Sequence, residues 1–179
     1  MALSDLQSIS GGEELAEAKW HSYFEQYLPA IEEDDFFGLQ NYTREVYGPE
    51  GKVKPAEGAE LTQMGYEYYP EALGQVIRRV AKYLQIPIII TEHGVATEND
   101  ERRIEFIRKG LEGVQACLKE GIDVRGYLHW STFDNFEWQS GYSMTFGLIG
   151  VDRATQERKV KDSASYLGRI AQAGSLITN

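Results

Sequence analysis

The residues best placed to do chemistry are a carboxylate at a strand tip and an aromatic, polar run further along the chain. Pro87 is followed by Ile88, Ile89 and Ile90, which lead straight into Thr91-Glu92-His93-Gly94. A β-branched run of this kind reads as a strand buried on both faces, as in a parallel sheet. Glu92 then stands at the carboxyl end of that strand, just before a glycine turn, where α/β barrels and open α/β sheets place their reactive groups. The competing reading is an acidic residue that opens a solvated loop. The second segment is Trp130-Ser131-Thr132-Phe133-Asp134-Asn135-Phe136-Glu137-Trp138, with two indoles, two carboxylates and an amide. Flat aromatic faces suit the C–H faces of sugar rings, while carboxylates and amides suit their hydroxyls. Core aromatics beside a solvated turn would give the same composition. No glycine-rich phosphate cradle follows any strand. On the residues alone, Glu92 and Glu137 pair as nucleophile and acid.

The elements that must position these groups follow from periodicity. Residues 1–11 read as a loose leader. Apolar positions over 13–28 recur at helical spacing and stop near Pro29. Residues 35–43 are a strand candidate, and 44–69 lack any period and read as a long loop. Pro70 opens a helix whose buried face is Leu73, Val76, Ile77, Val80 and Leu84. Asn99 or Asp100 caps the next helix, with an apolar stripe at Ile104, Ile107, Leu111, Val114 and Leu118. Residues 124–131 form a third strand, 146–152 a short strand or turn, and Ser163 caps a last helix. Strands alternating with helices predict right-handed βαβ units and a parallel sheet. The three strand ends, Asn41-Tyr42, Glu92-His93 and Trp130-Ser131, should then converge on one face.

Composition narrows the partners. The 179 residues suffice for one domain, and a formal charge of −10 argues against nucleic acid or an anionic membrane surface. No stretch approaches the roughly 20 apolar residues of a membrane span. Cys117 is the single cysteine, so neither an internal disulfide nor a cysteine metal site is available. His93 and His129 lack a third convergent ligand, so no metal and no cofactor is expected. His21 reads as a helix-surface residue. The start of the chain lacks the features of a signal peptide, and a cytoplasmic setting is expected.

The motifs also resemble glycoside hydrolase family 1, the β-glucosidases and their relatives, built on a (β/α)8 TIM barrel. The similarity rests on Thr91-Glu92-His93-Gly94, Gly126-Tyr127-Leu128-His129-Trp130-Ser131, Asp134-Asn135-Phe136-Glu137-Trp138, Asp35-Phe36-Phe37-Gly38-Leu39 with Tyr42-Thr43, and Phe146-Gly147-Leu148. It covers about 34–171. The resemblance implies an α/β fold in which 34–179 is the C-terminal portion of the barrel, strands six to eight. Residues 1–33 are then a leader and a helix before strand six. Strands one to five are missing, so three parallel strands with flanking helices are left with two unpaired edges and an open inner face, incomplete as a single chain.

Residue by residue, the resemblance makes Glu92 the nucleophile of a retaining mechanism, and Tyr42 the residue that orients it and keeps it ionised. Trp130 becomes the platform under the sugar. Glu137 binds sugar hydroxyls, Trp138 stands beside it, and Phe146 lines the site near the exocyclic carbon. This replaces the acid role for Glu137. The family's acid/base lies in an Asn-Glu-Pro segment after strand four, and this sequence has none. The Trp130–Ser131 peptide bond is often cis in the family. Two departures bear on substrate preference: His93 stands where asparagine is usual, and Gln40 and Asn41 replace the usual asparagine and a frequent tyrosine. The expected activity is hydrolysis of a β-glucoside or related small saccharide, completed by an N-terminal fragment or a second copy. The alternative is a non-catalytic, truncated sugar-binding or assembly fragment.

Overall fold

The computed structural model describes residues 1–176. In chain order, β1 (Asp5–Ser8) and α1 (Glu13–Tyr23) are followed by a short 3-10 turn, α2 (Leu28–Ile31) and β2 (Phe37–Asn41). A hairpin of β3 (Arg44–Gly48) and β4 (Gly51–Val53) precedes α3 (Ala72–Ala81), β5 (Ile88–His93), α4 (Asp100–Lys119) and β6 (Val124–His129). Two short strands, β7 (Ile149–Val151) and β8 (Arg158–Val160), then lead into α5 (Asp162–Ala173).

The parallel sheet has the order β2-β5-β6, with helices α3 and α4 in the two crossovers. Phe37 and Leu39 of β2 and Ile88 and Ile90 of β5 share one core with Trp20, Phe24, Leu73, Val76, Ile77 and Val80. Each fully buried aliphatic side chain contributes about 1.5–3 kcal/mol, so this face holds the strands together. The other face is open: Gly38, Gln40 and Ile89 are partly exposed, and Leu128 is 58% exposed. The isoleucine run is therefore buried on one face only.

Several expectations are corrected. The leader is ordered, because β1 pairs in parallel with β3 from Asp5↔Arg44 to Ser8↔Tyr47. Ahead of it, Leu3 N donates to Gln40 O at 2.9 Å and Gln40 N donates to Met1 O at 2.9 Å. The edge of β2 is thus partly covered where an unpaired edge is expected. Residues 44–69 contain the β3–β4 hairpin, which alternation missed because both strands are short and largely polar. Pro29 sits in the first turn of α2, so it opens a helical turn after α1 has ended at Tyr23. Pro70 lies two residues ahead of the first residue of α3.

Asn99 caps α4, accepting from the backbone N–H of Glu101 and Arg102. The buried stripe of α4, however, is Arg103, Phe106, Ile107, Gly110, Val114 and Cys117, while Leu118 is 50% exposed. Apolarity alone misplaced the stripe because an arginine and a glycine face inward. Arg103 donates to the carbonyl of Thr145 at 2.7 Å and to the carboxylate of Asp100. Ser163 lies inside α5 and caps nothing. Its backbone N–H and hydroxyl donate to Asp100 at 2.8 and 2.7 Å, tying the start of α5 to α4. Burial pushes the Asp100 carboxyl up, but the bonds from Ser163 and Arg103 outweigh it and hold the group below its usual range.

His93 is fully buried on the helix side of the sheet, stacked on Phe106 at 4.6 Å, with Nδ1 2.8 Å from the Tyr127 hydroxyl. Gly110 makes room for it: a Cβ there would come within 2.4 Å of the ring. Burial pushes both His93 and His129 from 6.5 down to about 3. The folded state therefore holds both rings neutral, while the unfolded chain protonates them below pH 6.5. The stability this contributes is whole above pH 6.5 and is lost as pH falls toward about 3. Urea unfolding at a series of pH values should show stability falling on acidification. His93→Asn should flatten that slope by about 1.4 kcal/mol per pH unit within the window. An unchanged slope would mean that His93 is not buried neutral.

Candidate active site

The open face of the sheet ends in a cavity of about 380 Å³ lined by Gln40, Tyr42, Met64, Tyr66, Glu92, Trp130, Glu137, Trp138 and Phe146. The six residues singled out from the sequence, Tyr42, Glu92, Trp130, Glu137, Trp138 and Phe146, all border it. Its volume suits a small ligand.

Glu92 reaches this cavity through a break in the strand's alternation. Leu39 pairs with Ile90, but the next residue, Gln40, pairs with Glu92, so the register of β5 slips by one at Thr91. A bulge of this kind re-aims the side chains beyond it. Strict alternation would put Glu92 with Ile88 and Ile90 against the helices. Instead it shares the open face with Gln40, and His93, paired with Asn41, takes the buried face. His93 and Asn41, two of the strand-end residues expected to converge, therefore point away from the cavity. Asn41 is buried and donates to the carbonyls of Leu3 and Thr43 at 2.8 and 3.1 Å. The ring nitrogens of His129 are buried as well, and the residue does not line the cavity.

The Glu92 carboxylate accepts a hydrogen bond on each oxygen. Tyr42 donates its hydroxyl to Oε2, and Gln40 donates its amide to Oε1 at 2.8 Å. Burial, then the bond to Glu92 and its charge, push the Tyr42 phenol well above its ordinary value, so it remains a donor. The Tyr42 ring meets Phe146 edge-on at 6.1 Å. Across the cavity, burial and then the charge of Glu92 raise the Glu137 carboxyl above its usual range. Trp138 is 82% exposed at the rim.

The β5 and β6 tips approach closely at Gly94, where a Cβ would come within 1.8 Å of the Trp130 carbonyl oxygen. Trp130 N donates to His93 O at 3.0 Å, and the Trp130–Ser131 peptide is cis. Asp134, which could have served as a sugar-binding carboxylate, is turned into its own loop. It accepts from Gly147 N at 2.8 Å and from Lys161 Nζ at 3.2 Å, and Lys161 also donates to the Gly147 carbonyl at 2.7 Å. That knot holds Phe146 against the cavity. Gln40, Met64, Tyr66 and Lys161 were not picked from the sequence as site residues. Of these, only the unusual amide at position 40 left a signal there.

The chain matches the model of glycosyl hydrolase family 1 over residues 24–175. It belongs to that family. Among curated relatives, a β-galactosidase of Sulfolobus acidocaldarius is 33% identical over 157 residues, spanning 79% of this chain and 32% of that protein. A bifunctional β-D-glucosidase/β-D-fucosidase of Bifidobacterium breve is 40% identical over 123 residues, spanning 61% of this chain and 27% of its own length. A crystal structure of the β-glycosidase BGL167 superposes with a TM-score of 0.91 at 46% identity, covering 99% of this chain and 43% of that one. The likeness therefore extends ahead of Asp34. The family 1 chain described here spans about a third of the length of these curated relatives. Its fold is an α/β fragment with a parallel sheet that matches part of a family 1 TIM barrel.

The close approach at Gly94 yields a test. Gly94→Ala must push the two strand tips apart, because the obstructing atom is backbone. It should cost about 1–3 kcal/mol in urea unfolding and alter tryptophan emission as Trp130 shifts. Wild-type stability together with unchanged emission would contradict the packing described.

Proposed function

We propose that this chain carries strands six to eight of a retaining β-glycosidase barrel, with residues 34–179, of which 177–179 lie outside the described residues, belonging to that part and 1–33 leading into it. The observation that carries the reading is the Glu92 carboxylate, held by two donors and facing a cavity bordered by two indoles and a second carboxyl. Glu92 attacks the anomeric carbon of a β-glucoside or related saccharide. The bond to the leaving oxygen breaks as a glycosyl ester forms on Glu92, and water later cleaves that ester to release the sugar. Tyr42 orients the nucleophile and stabilises its charge. Trp130 supports the sugar ring, Glu137 and Trp138 bind its hydroxyls, and Phe146 closes the wall.

A retaining mechanism needs a second carboxyl about 5–5.5 Å from the first, one that protonates the leaving group. Glu137 is read as a sugar ligand, and the Asn-Glu-Pro segment that bears the proton donor in the family is not in these residues. The donor comes from the strands that complete the barrel. Hydrolysis of ordinary glycosides by these 179 residues alone should be negligible, because an alkoxide leaving group departs unassisted.

An activated leaving group removes that requirement. Incubation with 2,4-dinitrophenyl 2-deoxy-2-fluoro-β-D-glucoside, followed by peptide mass spectrometry, should place one fluoroglucosyl group on Glu92, and Glu92→Gln should abolish it. Adding a polypeptide that supplies the remaining strands should restore aryl-glucoside hydrolysis. Labelling at another carboxylate, or a well-folded complex that remains inert, would refute the proposal. Quenching of tryptophan fluorescence by glucose without any labelling would favour a sugar-binding fragment instead.

A further inference from the structure

We infer that Gln40 is a positioning residue for Glu92, holding the carboxylate oxygen that Tyr42 leaves free. This deepens the proposed function and rests on it for its catalytic meaning. Position 40 carries a glutamine where the family resemblance leads one to expect asparagine. The geometry gives the departure a purpose. Gln40 Nε2 lies 2.8 Å from Glu92 Oε1, on the oxygen opposite the one bonded by Tyr42. The amide nitrogen must face the carboxylate, since a carbonyl oxygen there would repel it.

The backbone of Gln40 is fixed at the edge of the sheet, which sets the point from which its side chain reaches out. Its N–H donates to Met1 O and its carbonyl accepts from Leu3 N, both at 2.9 Å. On its other side it stands opposite Glu92 in the sheet, in the register created by the slip at Thr91. An asparagine at this point would be one methylene, about 1.5 Å, too short to make the same direct contact. The longer amide and the slipped register therefore belong together: the slip brings Glu92 onto the open face, and Gln40 fixes where its carboxylate stands. A hydrogen bond to an ionised group is stronger than a neutral one, so losing it should be felt in the reaction.

The test uses the full chain and the fluoroglucoside named above, separating reagent affinity from the maximal labelling rate. Gln40→Leu should lower the maximal rate by about 10- to 100-fold and leave reagent affinity within about twofold. Gln40→Glu, nearly isosteric, should be slower still, because it sets a like charge against Glu92. A residue that merely packs would give the opposite ranking, with glutamate close to wild type and leucine worse. Side-chain amide NMR of the unreacted chain provides a readout independent of turnover. The Gln40 amide protons should be well separated, one shifted downfield, and Glu92→Gln should move them. Equal labelling rates in all variants, or a Gln40 amide indifferent to Glu92→Gln, would overturn the assignment. If the unsubstituted chain takes no label, the functional reading fails, and the amide spectrum decides the Gln40–Glu92 contact by itself.

Discussion

A single slip of register in β5 governs which side chains can do chemistry. The strand begins with strict alternation, Ile88 and Ile90 buried against α1 and α3, and it could have continued so that Glu92 joined them. An unpaired carboxylate in that core would cost several kcal/mol or stay protonated. The one-residue shift at Thr91 avoids that outcome. It delivers Glu92 to the open face and sends His93 into the core, where Phe106 and Tyr127 receive it and Gly110 makes space. The charged group stays beside water and two donors, and the neutral ring goes to the dry side.

The other parts of the site are tied to the same strand tip. Gly94 lets Trp130 approach β5, which brings the indole to the cavity that Glu92 borders. The Asp134–Lys161–Gly147 knot then folds the following loop back so that Phe146 faces Tyr42. Arg103 and Asp100 hold the segment at Thr97, the Thr145 carbonyl and the start of α5 in one network. Most of these groups touch no substrate in the proposed mechanism. They fix the places of those that do.

Much of this was legible in the sequence, for physical reasons that can be named. The isoleucine run, the Asn99 cap and the 3.6-residue period of α3 report local burial and local hydrogen bonding, which neighbouring residues decide. Glu92 and Trp130 could be placed together because parallel strand tips must share an edge, while Glu137 and Phe146 joined them only through the family resemblance. What could not be read depends on partners distant in the chain. The buried Arg103 and Gly110 shifted the inner face of α4, and Ser163 found its bond on Asp100 rather than at a helix start. Residues 5–8 became a strand only because β3 lay ready to pair with them. The slip at Thr91 is of the same kind. It is a property of two strands together, so a reading of β5 alone could point at Glu92 but could not say which face it takes.

The most direct measurement is a crystal structure of this chain at a resolution that fixes side-chain rotamers. Gln40 should stand opposite Glu92 with Thr91 unpaired, and the Glu92 carboxylate should enter the same hollow as the Trp130 indole, with His93 on the helix side. A β5 that alternates without interruption, its glutamate turned toward Ile88 and Ile90 and away from Trp130, would contradict the account.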